Sequence, residues 1–221
     1  MARPPRIFCL GRNFAAHAAE MGHKVAAEPM IFLKNPLSII GPDESVEIPV
    51  GLGRIEHEVE VAVVIGREGK AIAPADADLF VAGYTLFNDV TARDVQKADQ
   101  EKKWPWTRAK GPDTFGPMGP WLVTPDEFGW PPQIQLCLSV NGEPRQWGNT
   151  EQWVFGIGEV LAFISRTMRL VPGDVVSMGT PEGVGPITAG DVVECHAEGL
   201  GTLRNPVIWQ PTEKGLELPD A

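Results

Sequence analysis

Residues 55–66, IEHEVEVAVVIG, begin with the alternation of polar and hydrophobic positions that is typical of a β-strand. On such a strand Glu56, Glu58 and Glu60 share one face, and His57 shares the other with apolar residues. The apolar second half indicates that the strand continues into a hydrophobic core. Because three carboxylates on one face repel each other, the pattern predicts either a solvated acidic rim or a site for a hard divalent cation such as Mg2+ or Ca2+.

The rest of the hydrophobic pattern predicts many short strands and few helices. Further strands are expected at residues 6–10, 29–34, 83–88 and 175–178, and at 135–146 around the hairpin turn of Asn141 and Gly142. Helices are expected at 74–82 and 157–168, the latter with a buried stripe of Ile157, Val160, Leu161 and Ile164. The 24 glycines and 21 prolines favour this organisation over a helical bundle. The last dozen residues are expected to be frayed.

A short alanine-rich helix is predicted near residues 13–21, where Asn13 can cap the first turn and Gly22 can end the helix. His17 and Glu20 are three residues apart, so they share one face of this helix. A histidine held by a carboxylate is a common general-base arrangement. The alternative is an exposed polar pair on a surface helix.

The segment that follows the predicted strand at 83–88 combines acidic, basic and amide side chains. Asp89 is placed to supply a third oxygen ligand beside the glutamates of the acidic strand. We interpret Arg93 and Asp94 as structural residues that pair with other neighbours. Gln96 would either hydrogen-bond a ligand or lie on the surface. Residues 97–103, KADQEKK, have the composition of a solvated, mobile stretch.

Two lysines and a glycine-rich loop are further candidates. Lys34 would either support a substrate carboxylate or simply end a strand. Lys110 lies in a loop rich in glycine and proline, where it would offset the acidic cluster and polarise a substrate oxygen. Residues 179–185, GTPEGVG, lack the Lys-Ser/Thr of a P-loop. This loop would let the backbone approach a small ligand, with Thr180 offering hydroxyl and amide donors.

Composition excludes several classes of function. A net charge of −10 and a pI near 4.9 offer no basic stripe to nucleic acid. No apolar run approaches the ~20 residues that cross a bilayer, and the first residues contain too short an apolar stretch for a signal peptide. Cys9, Cys137 and Cys195 form no C-x-x-C pair, which predicts buried, reduced thiols in a cytoplasmic protein. Cys9 is a weak candidate for a nucleophile because no partner lies near it in the sequence.

Six segments, taken in order, resemble the fumarylacetoacetate hydrolase superfamily: GRNFAAHAAEMG, EPMIFLK, HEVE, DVTARDVQ, WTRAK and GTPEGVG. The length resembles the short members of the acylpyruvate hydrolase and oxaloacetate decarboxylase branch. The resemblance implies an α+β, mainly β fold, a mixed, rolled β-sheet sandwich with a few short helices, assembled as a homodimer. We expect one catalytic domain over residues 1–221, with a lid helix in about 1–50 and a metal-binding β core in about 51–210.

The resemblance also assigns roles to nine residues. Mg2+ or Mn2+ is held at the positions that match Glu58, Glu60 and Asp89, and Ca2+ can occupy the same site. The positions that match His17 and Glu20 form a dyad on the lid helix, which orders when substrate binds. The keto acid substrate is contacted by the positions that match Arg12, Gln96, Lys110 and Thr180, and Lys110 joins the dyad as a catalytic residue.

The implied chemistry acts on 2-oxo acids through a metal-stabilised enolate. In a hydrolase, His17 oriented by Glu20 deprotonates a water that attacks an acylpyruvate, such as acetylpyruvate or fumarylpyruvate. An oxaloacetate decarboxylase or a related isomerase uses the same enolate without water attack, so these activities are the alternative. A non-catalytic metal-binding protein is disfavoured by the grouping of candidates around one site. Gly111 and Glu182 depart from residues common in the family, which leaves the exact substrate open.

Overall fold

The computed structural model of the protein describes residues 3–22 and 26–211. Residues 23–25, in the predicted lid segment, and residues 212–221, in the terminus predicted to be frayed, lie outside the described residues. The fold is mostly β, with a curled mixed sheet and few helices. The predicted fold class is therefore confirmed.

The described residues form short strands separated by turns, as the hydrophobic pattern predicts. In chain order the strands are β1 Ile7–Gly11, β2 Met30–Lys34, β3 Ile39–Ile40, β4 Val46–Ile48, β5 Ile55–His57, β6 Val59–Ile65, β7 Val81–Asn88, β8 Thr91–Ala92, β9 Gly116–Val123, β10 Gln135–Val140, β11 Glu143–Asn149, β12 Val175–Ser177, β13 Gly185–Ile187, β14 Val192–Ala197 and β15 Gly201–Trp209. The predicted hairpin joins β10 to β11, and both of its turn residues have positive φ, 54° at Asn141 and 78° at Gly142.

The helices are short and few. The α-helices are α1 Ala15–Glu20, α2 Arg93–Glu101, α3 Thr107–Lys110, α4 Pro125–Phe128 and α5 Ile157–Thr167, and short 3-10 helices cover Pro36–Ser38, Pro74–Phe80 and Thr150–Gln152. The predicted stripe of α5 is buried. No helix among the described residues is long and apolar enough to cross a membrane.

The strands form three sheets. The largest has the order β2-β1-β12-β6-β7-β9-β3 and contains the parallel pairs β1–β12 and β3–β9. A second sheet, β11-β10-β14-β15-β4, packs across it, because β10, β14 and β15 contact β6, β7 and β9. The small third sheet, β13-β5-β8, continues from the first, since only Glu58 separates β5 from β6.

Alternation along β6 divides its side chains between two hydrophobic clusters. Val59 and Val61 belong to the main core, which also contains Leu138 of β10. Ala62 belongs to a second cluster on the other face of the seven-stranded sheet. Each fully buried valine or leucine side chain stabilises the fold by about 1.5–3 kcal/mol. The predicted alternation is confirmed, and it places Glu60 on the same face as Ala62.

The prediction of one continuous strand over residues 55–66 is wrong. The strand is interrupted at Glu58, whose backbone amide donates to the side-chain oxygen of Asn88 at 2.9 Å. The residues before the break pair with β8 and β13, whereas those after it pair with β7 and β12. Glu58 therefore lies outside the regular strand pairing, at the point where the seven-stranded sheet meets the three-stranded sheet.

The prediction that Asn13 caps α1 is also wrong, since Phe14 occupies the N-cap position. The Asn13 side chain is buried, accepts from the Phe155 amide at 2.8 Å and donates to the Met178 carbonyl at 2.8 Å. These bonds attach the chain that enters α1 to the core. Asn13 thus satisfies backbone groups elsewhere in the fold instead of the helix end.

Two stretches interpreted as irregular are helical. The KADQEKK segment continues α2 as far as Glu101, and within it Asp99 is buried and pairs with Arg108. Lys110 is the last residue of α3, not part of a loop. In both cases tertiary contacts stabilise helical turns that the polar composition does not predict.

The three cysteines are free thiols, as the sequence predicts. Cys9 and Cys195 are buried, but the prediction of burial is wrong for Cys137, which is only partly buried. Burial raises the pKa of Cys9 well above its ordinary value, and the negative charges of Asp89 and Glu60 raise it further. A thiol with a raised pKa is a poor nucleophile. The structure therefore agrees with the low ranking of Cys9 as a catalytic residue.

Candidate active site

Three buried carboxylates meet at one end of β6. Glu58 precedes β6, Glu60 lies within it, and Asp89 directly follows β7, the antiparallel neighbour of β6. Because Val59 pairs with Asn88, Asp89 is brought beside Glu58. One carboxylate oxygen of each residue lies within 4.8 Å of the other two. This arrangement is that of a metal-binding triad.

Two buried lysines neutralise part of this charge. Lys110 Nζ donates to Glu58 at 2.7 Å and to Asp89 at 2.5 Å, and Lys34 Nζ donates to Asp89 at 2.6 Å. Burial opposes the charge of Lys110, but Asp89 and Glu58 outweigh it and raise the pKa of Lys110. For Lys34, burial prevails over Asp89 and lowers the pKa. Lys34 therefore does more than end a strand, since it holds one carboxylate of the triad.

Glu60 has no such partner: no lysine or arginine forms an ion pair with it in the part of the chain that the structure describes. Its carboxylate accepts from the Ser177 hydroxyl at 2.5 Å and from the Gly179 amide at 2.8 Å. Burial, followed by the charges of Asp89 and Glu58, raises the pKa of Glu60 to about 8. Without a cation, Glu60 therefore keeps its proton up to about that pH, and a bound cation would favour its ionised form.

This donor set fits a hard divalent cation. Mg2+, Mn2+ and Ca2+ prefer carboxylate oxygens, and each oxygen that already accepts one hydrogen bond keeps a further lone pair. The candidate cluster contains no histidine or cysteine, the ligands that usually hold Zn2+. A cation bound by Glu58, Glu60 and Asp89 would supply the positive charge that Glu60 lacks.

Arg93, interpreted from the sequence as structural, contacts the triad. Its guanidinium donates to Glu56, to Glu58 and to the side-chain oxygen of Gln96. Burial opposes its charge, but Glu58 and Glu56 prevail and raise the pKa of Arg93. The prediction that it pairs with neighbours is correct, yet those neighbours include a candidate metal ligand. The available signal was its place four residues after Asp89, at the start of α2.

A cleft of about 50 Å3 lies over the triad. A site needs roughly 10–15 Å3 to hold one water, so the cleft has room for only a few waters or a small acid. Its lining includes eight of the nine predicted residues, namely Arg12, His17, Glu58, Glu60, Asp89, Gln96, Lys110 and Thr180. The ninth, Glu20, lies behind His17. Apolar residues that the sequence did not single out, Met21 and Phe32, complete the wall together with Trp106.

Two unusual backbone conformations shape the cleft. Arg12 has a φ of 62°, in the left-handed region that costs energy for a non-glycine residue and is often found at functional sites. Gly179 has a φ of 92°, and a Cβ there would lie 2.9 Å from the Cβ of Asn13. Glycine thus lets the backbone pass close to β1 and donate its amide to Glu60. The sequence predicted that the backbone of this loop approaches a small ligand. In the structure the backbone approaches the Glu60 carboxylate.

His17 and Glu20 form a hydrogen-bonded pair at the edge of the cleft. His17 Nδ1 lies 3.1 Å from Glu20 Oε2, and His17 is 8% exposed. The Gly183 amide donates to Glu20 Oε1 at 3.0 Å, so the pair also attaches α1 to the glycine-rich loop. The alternative of an exposed surface pair is therefore wrong for His17.

The family of the protein follows from comparison with known sequences. Residues 6–208 match the model of the fumarylacetoacetate (FAA) hydrolase C-terminal family. The chain belongs to this family, as its motifs and site geometry indicate. The proposed resemblance is confirmed over nearly its whole length.

Relatives within this family have several activities. A mitochondrial oxaloacetate tautomerase of Homo sapiens, FAHD2A, is 41% identical over 215 residues, which cover 94% of this chain and 68% of the relative. The structure of a 5-carboxymethyl-2-hydroxymuconate delta-isomerase from Mycobacterium smegmatis is 44% identical, with a TM-score of 0.85 over 95% of this chain and 81% of its own. The structure of a fumarylpyruvate hydrolase from Pseudomonas aeruginosa, in complex with Mn2+ and pyruvate, is 34% identical, with a TM-score of 0.89 over 94% of this chain and 91% of its own.

The fold, the triad and the family together define a class of activity. The protein is a fumarylacetoacetate hydrolase family enzyme of the hydrolase, isomerase or decarboxylase type. Its carboxylate triad is suited to bind a metal ion.

Proposed function

We propose that the protein is a metal-dependent hydrolase that cleaves the carbon–carbon bond of acylpyruvate-type 2,4-dioxo acids, such as acetylpyruvate or fumarylpyruvate. The observation that carries this proposal is that His17, bonded to Glu20, lines the same small cleft as the carboxylate triad. Hydrolysis needs a base for water, and a buried histidine oriented by a carboxylate supplies one.

Glu58, Glu60 and Asp89 would hold Mg2+ or Mn2+, and Ca2+ could occupy the same oxygens. When bound, such a cation attracts the carboxylate and keto oxygens of a 2-oxo acid and stabilises negative charge on them. The Mn2+ and pyruvate in the related hydrolase of Pseudomonas aeruginosa support this assignment.

His17 is the proposed general base. Because the Glu20 carboxylate can only accept, His17 donates from Nδ1, and its Nε2 carries the free lone pair. Nε2 takes a proton from water as the water oxygen forms a bond to the C4 carbonyl carbon. The C3–C4 bond then breaks, its electron pair passes to the pyruvate fragment, and the proton is returned to C3. The products are pyruvate and a carboxylic acid.

The remaining cleft residues would bind the acid. Arg93 donates to the Gln96 oxygen, which leaves the Gln96 amide hydrogens for a ligand. Arg12 and Thr180 line the cleft and would donate to the substrate's oxygens. Lys110, bonded to Glu58 and Asp89, would support the developing negative charge.

An oxaloacetate decarboxylase or a related 2-oxo acid isomerase is the second candidate. Its specific support is the 41% identity to an oxaloacetate tautomerase. These reactions need the same cation and the same binding of the acid, but no water attack. A non-catalytic metal-binding protein is a third candidate class of function. Measured turnover of any of these acids would exclude it.

A substrate panel tests the proposal. Acetylpyruvate, fumarylpyruvate and oxaloacetate would each be assayed with Mg2+, with Mn2+ and after treatment with EDTA. We expect metal-dependent release of pyruvate from the acylpyruvates, faster than loss of CO2 from oxaloacetate. Faster turnover of oxaloacetate would favour the second candidate, and no turnover of any acid would contradict both.

Two further expectations stay predictions. The resemblance predicts a homodimer, which light scattering after size-exclusion chromatography would test. The reduced cysteines predict a cytoplasmic protein, which fractionation of cells would test.

A further inference from the structure

Gln146, on β11, uses its whole side-chain amide to join three parts of the site. The residue is 2% exposed. Its Oε1 accepts from the Val59 amide at 3.1 Å and lies 2.9 Å from His57 Nδ1. Its Nε2 donates to the Thr180 hydroxyl at 2.8 Å and to the Pro181 carbonyl at 2.8 Å. An amide offers two acceptor positions and two donor hydrogens, so its capacity is filled.

The partners fix which way this amide points. The Pro181 carbonyl can only accept and the Val59 amide can only donate, so exchanging the oxygen and nitrogen of Gln146 would break both bonds. His57 must then donate from Nδ1 to the amide oxygen. The orientation follows from backbone groups and needs no assumption about protonation.

The fixed amide determines the direction of the Thr180 hydroxyl. Thr180 Oγ1 accepts from Gln146, so its own hydrogen is left for another acceptor. Among residues 3–22 and 26–211, Gln146 is the one hydrogen-bonding partner of this hydroxyl. Because Thr180 lines the cleft, the free hydrogen is available to a ligand there.

The same amide sets the distance between the glycine-rich loop and the triad. Val59 lies between Glu58 and Glu60 in the chain, and Thr180 follows Gly179, the first residue of the glycine-rich loop. A single buried side chain thus connects the strand of the candidate metal ligands to the loop that faces the substrate. No other residue on β11 contacts both in this way among the hydrogen bonds of the described chain.

We propose that Gln146 is a positioning residue for the substrate. It holds Thr180 as a hydrogen-bond donor, so that this side of the cleft selects a ligand oxygen that can only accept, such as the carboxylate of a 2-oxo acid. The inference rests on the proposed function, in which the cleft binds such an acid. Gln146 itself touches no substrate and acts through Thr180.

A double-mutant cycle on binding tests this role. The variants are Gln146→Met, which keeps a similar length without hydrogen-bonding groups, Thr180→Val and the double variant, with the exposed Gln135→Met as the matched control. The probe is oxalate binding to the Mn2+-loaded protein, measured by calorimetry, and KM and kcat for acetylpyruvate are measured in parallel. Thermal melting and Mn2+ affinity report on the fold and on the triad.

We expect Gln146→Met and Thr180→Val each to weaken oxalate binding and raise KM about tenfold, the effect of losing one hydrogen bond to a charged group. In the Thr180→Val background, Gln146→Met should add less than about twofold, while Mn2+ affinity stays within about twofold. An equal effect of Gln146→Met with and without the Thr180 hydroxyl would overturn the inference, because Gln146 would then be merely structural.

A replacement variant and the behaviour of the wild-type protein separate failure of this inference from failure of the proposed function. If Gln146→Met does not fold, Gln146→Glu takes its place in the cycle, since a carboxylate accepts the Thr180 hydrogen and withdraws it from the ligand. Wild-type protein that binds no oxalate and turns over no acylpyruvate would refute the proposed function and this inference together. Wild-type binding with an additive cycle would refute the inference alone.

Discussion

Asp89 lies across the sheet from Glu58, and its backbone amide donates to the Glu58 carbonyl oxygen at 2.9 Å. This bond continues the pairing of β6 with β7 by one step beyond the regular ladder. The backbone therefore fixes the separation of two acidic side chains that would repel each other in isolation. A divalent cation bound between these side chains would offset the repulsion.

The first prediction concerns metal dependence. Chelation should abolish activity and Mg2+ or Mn2+ should restore it, whereas Zn2+ should be poorer because the cluster offers no histidine or cysteine. Glu58→Gln should lose at least about tenfold in Mn2+ affinity, measured by calorimetry, because a charged ligand is removed. The exposed Glu143→Gln is the matched control. Full activity after exhaustive chelation would refute the metal assignment.

The second prediction concerns pH and stability. The pKa of Glu60 is raised from 4.5 to about 8 in the folded protein, so its protonated form favours folding. This contribution is complete below pH 4.5 and is lost as pH rises through about 8. The melting temperature of EDTA-treated protein should therefore fall between about pH 5 and pH 8 and level off above that range, since each pKa unit corresponds to about 1.4 kcal/mol. Glu60→Gln should flatten this fall, and equal slopes in both proteins would contradict the explanation.

The third prediction concerns the lid. Helix α1 has six residues, is rich in alanine, and buries only His17 and Ala18. Its docking depends on few contacts, among them the bond from the Gly183 amide to Glu20. We predict fast hydrogen exchange in α1 for the free protein and slower exchange with Mn2+ and oxalate. Equal protection in both states, measured by mass spectrometry, would count against a ligand-dependent lid.

Local patterns were sufficient to predict much of the fold and the triad. Period-two alternation identified the face of Glu60, and the Asn141-Gly142 signal identified the hairpin, because both depend on neighbouring residues only. The place of Asp89 after an apolar strand identified the third carboxylate of the triad. Assigning roles to His17 and Glu20 required the family resemblance, since spacing alone allowed a surface pair.

What the sequence did not predict depends on contacts between distant segments. The break at Glu58 arises because β5 and β6 pair with different strands. The one signal for Arg93 was its place shortly after Asp89, and Gln146 had none. Glu58 lies 35 residues from Arg93 in the chain, and Thr180 lies 34 residues from Gln146. Long-range contacts of this kind are fixed by the whole fold, not by periodicity.

The fourth prediction concerns the dyad as a unit. Glu20 orients His17 through a 3.1 Å hydrogen bond, so Glu20→Ala should slow acylpyruvate hydrolysis nearly as much as His17→Ala. The double variant should cost little more than either single variant, because the two residues act together. Decarboxylation of oxaloacetate should fall much less in all three. Rates from stopped assays of pyruvate and CO2 would check this, and additive losses would contradict a common role.

The most direct measurement is the initial rate of pyruvate release from acetylpyruvate at saturating Mg2+, in the wild-type protein and in His17→Ala. A general base contributes roughly 10²–10⁴ in rate, so the account predicts that His17→Ala is slower by at least about a hundredfold. Its Mg2+ affinity should be unchanged, because His17 is not a member of the triad. Hydrolysis by His17→Ala at the wild-type rate would contradict the role of His17 as the general base. The oxaloacetate decarboxylase would then become the better-supported function.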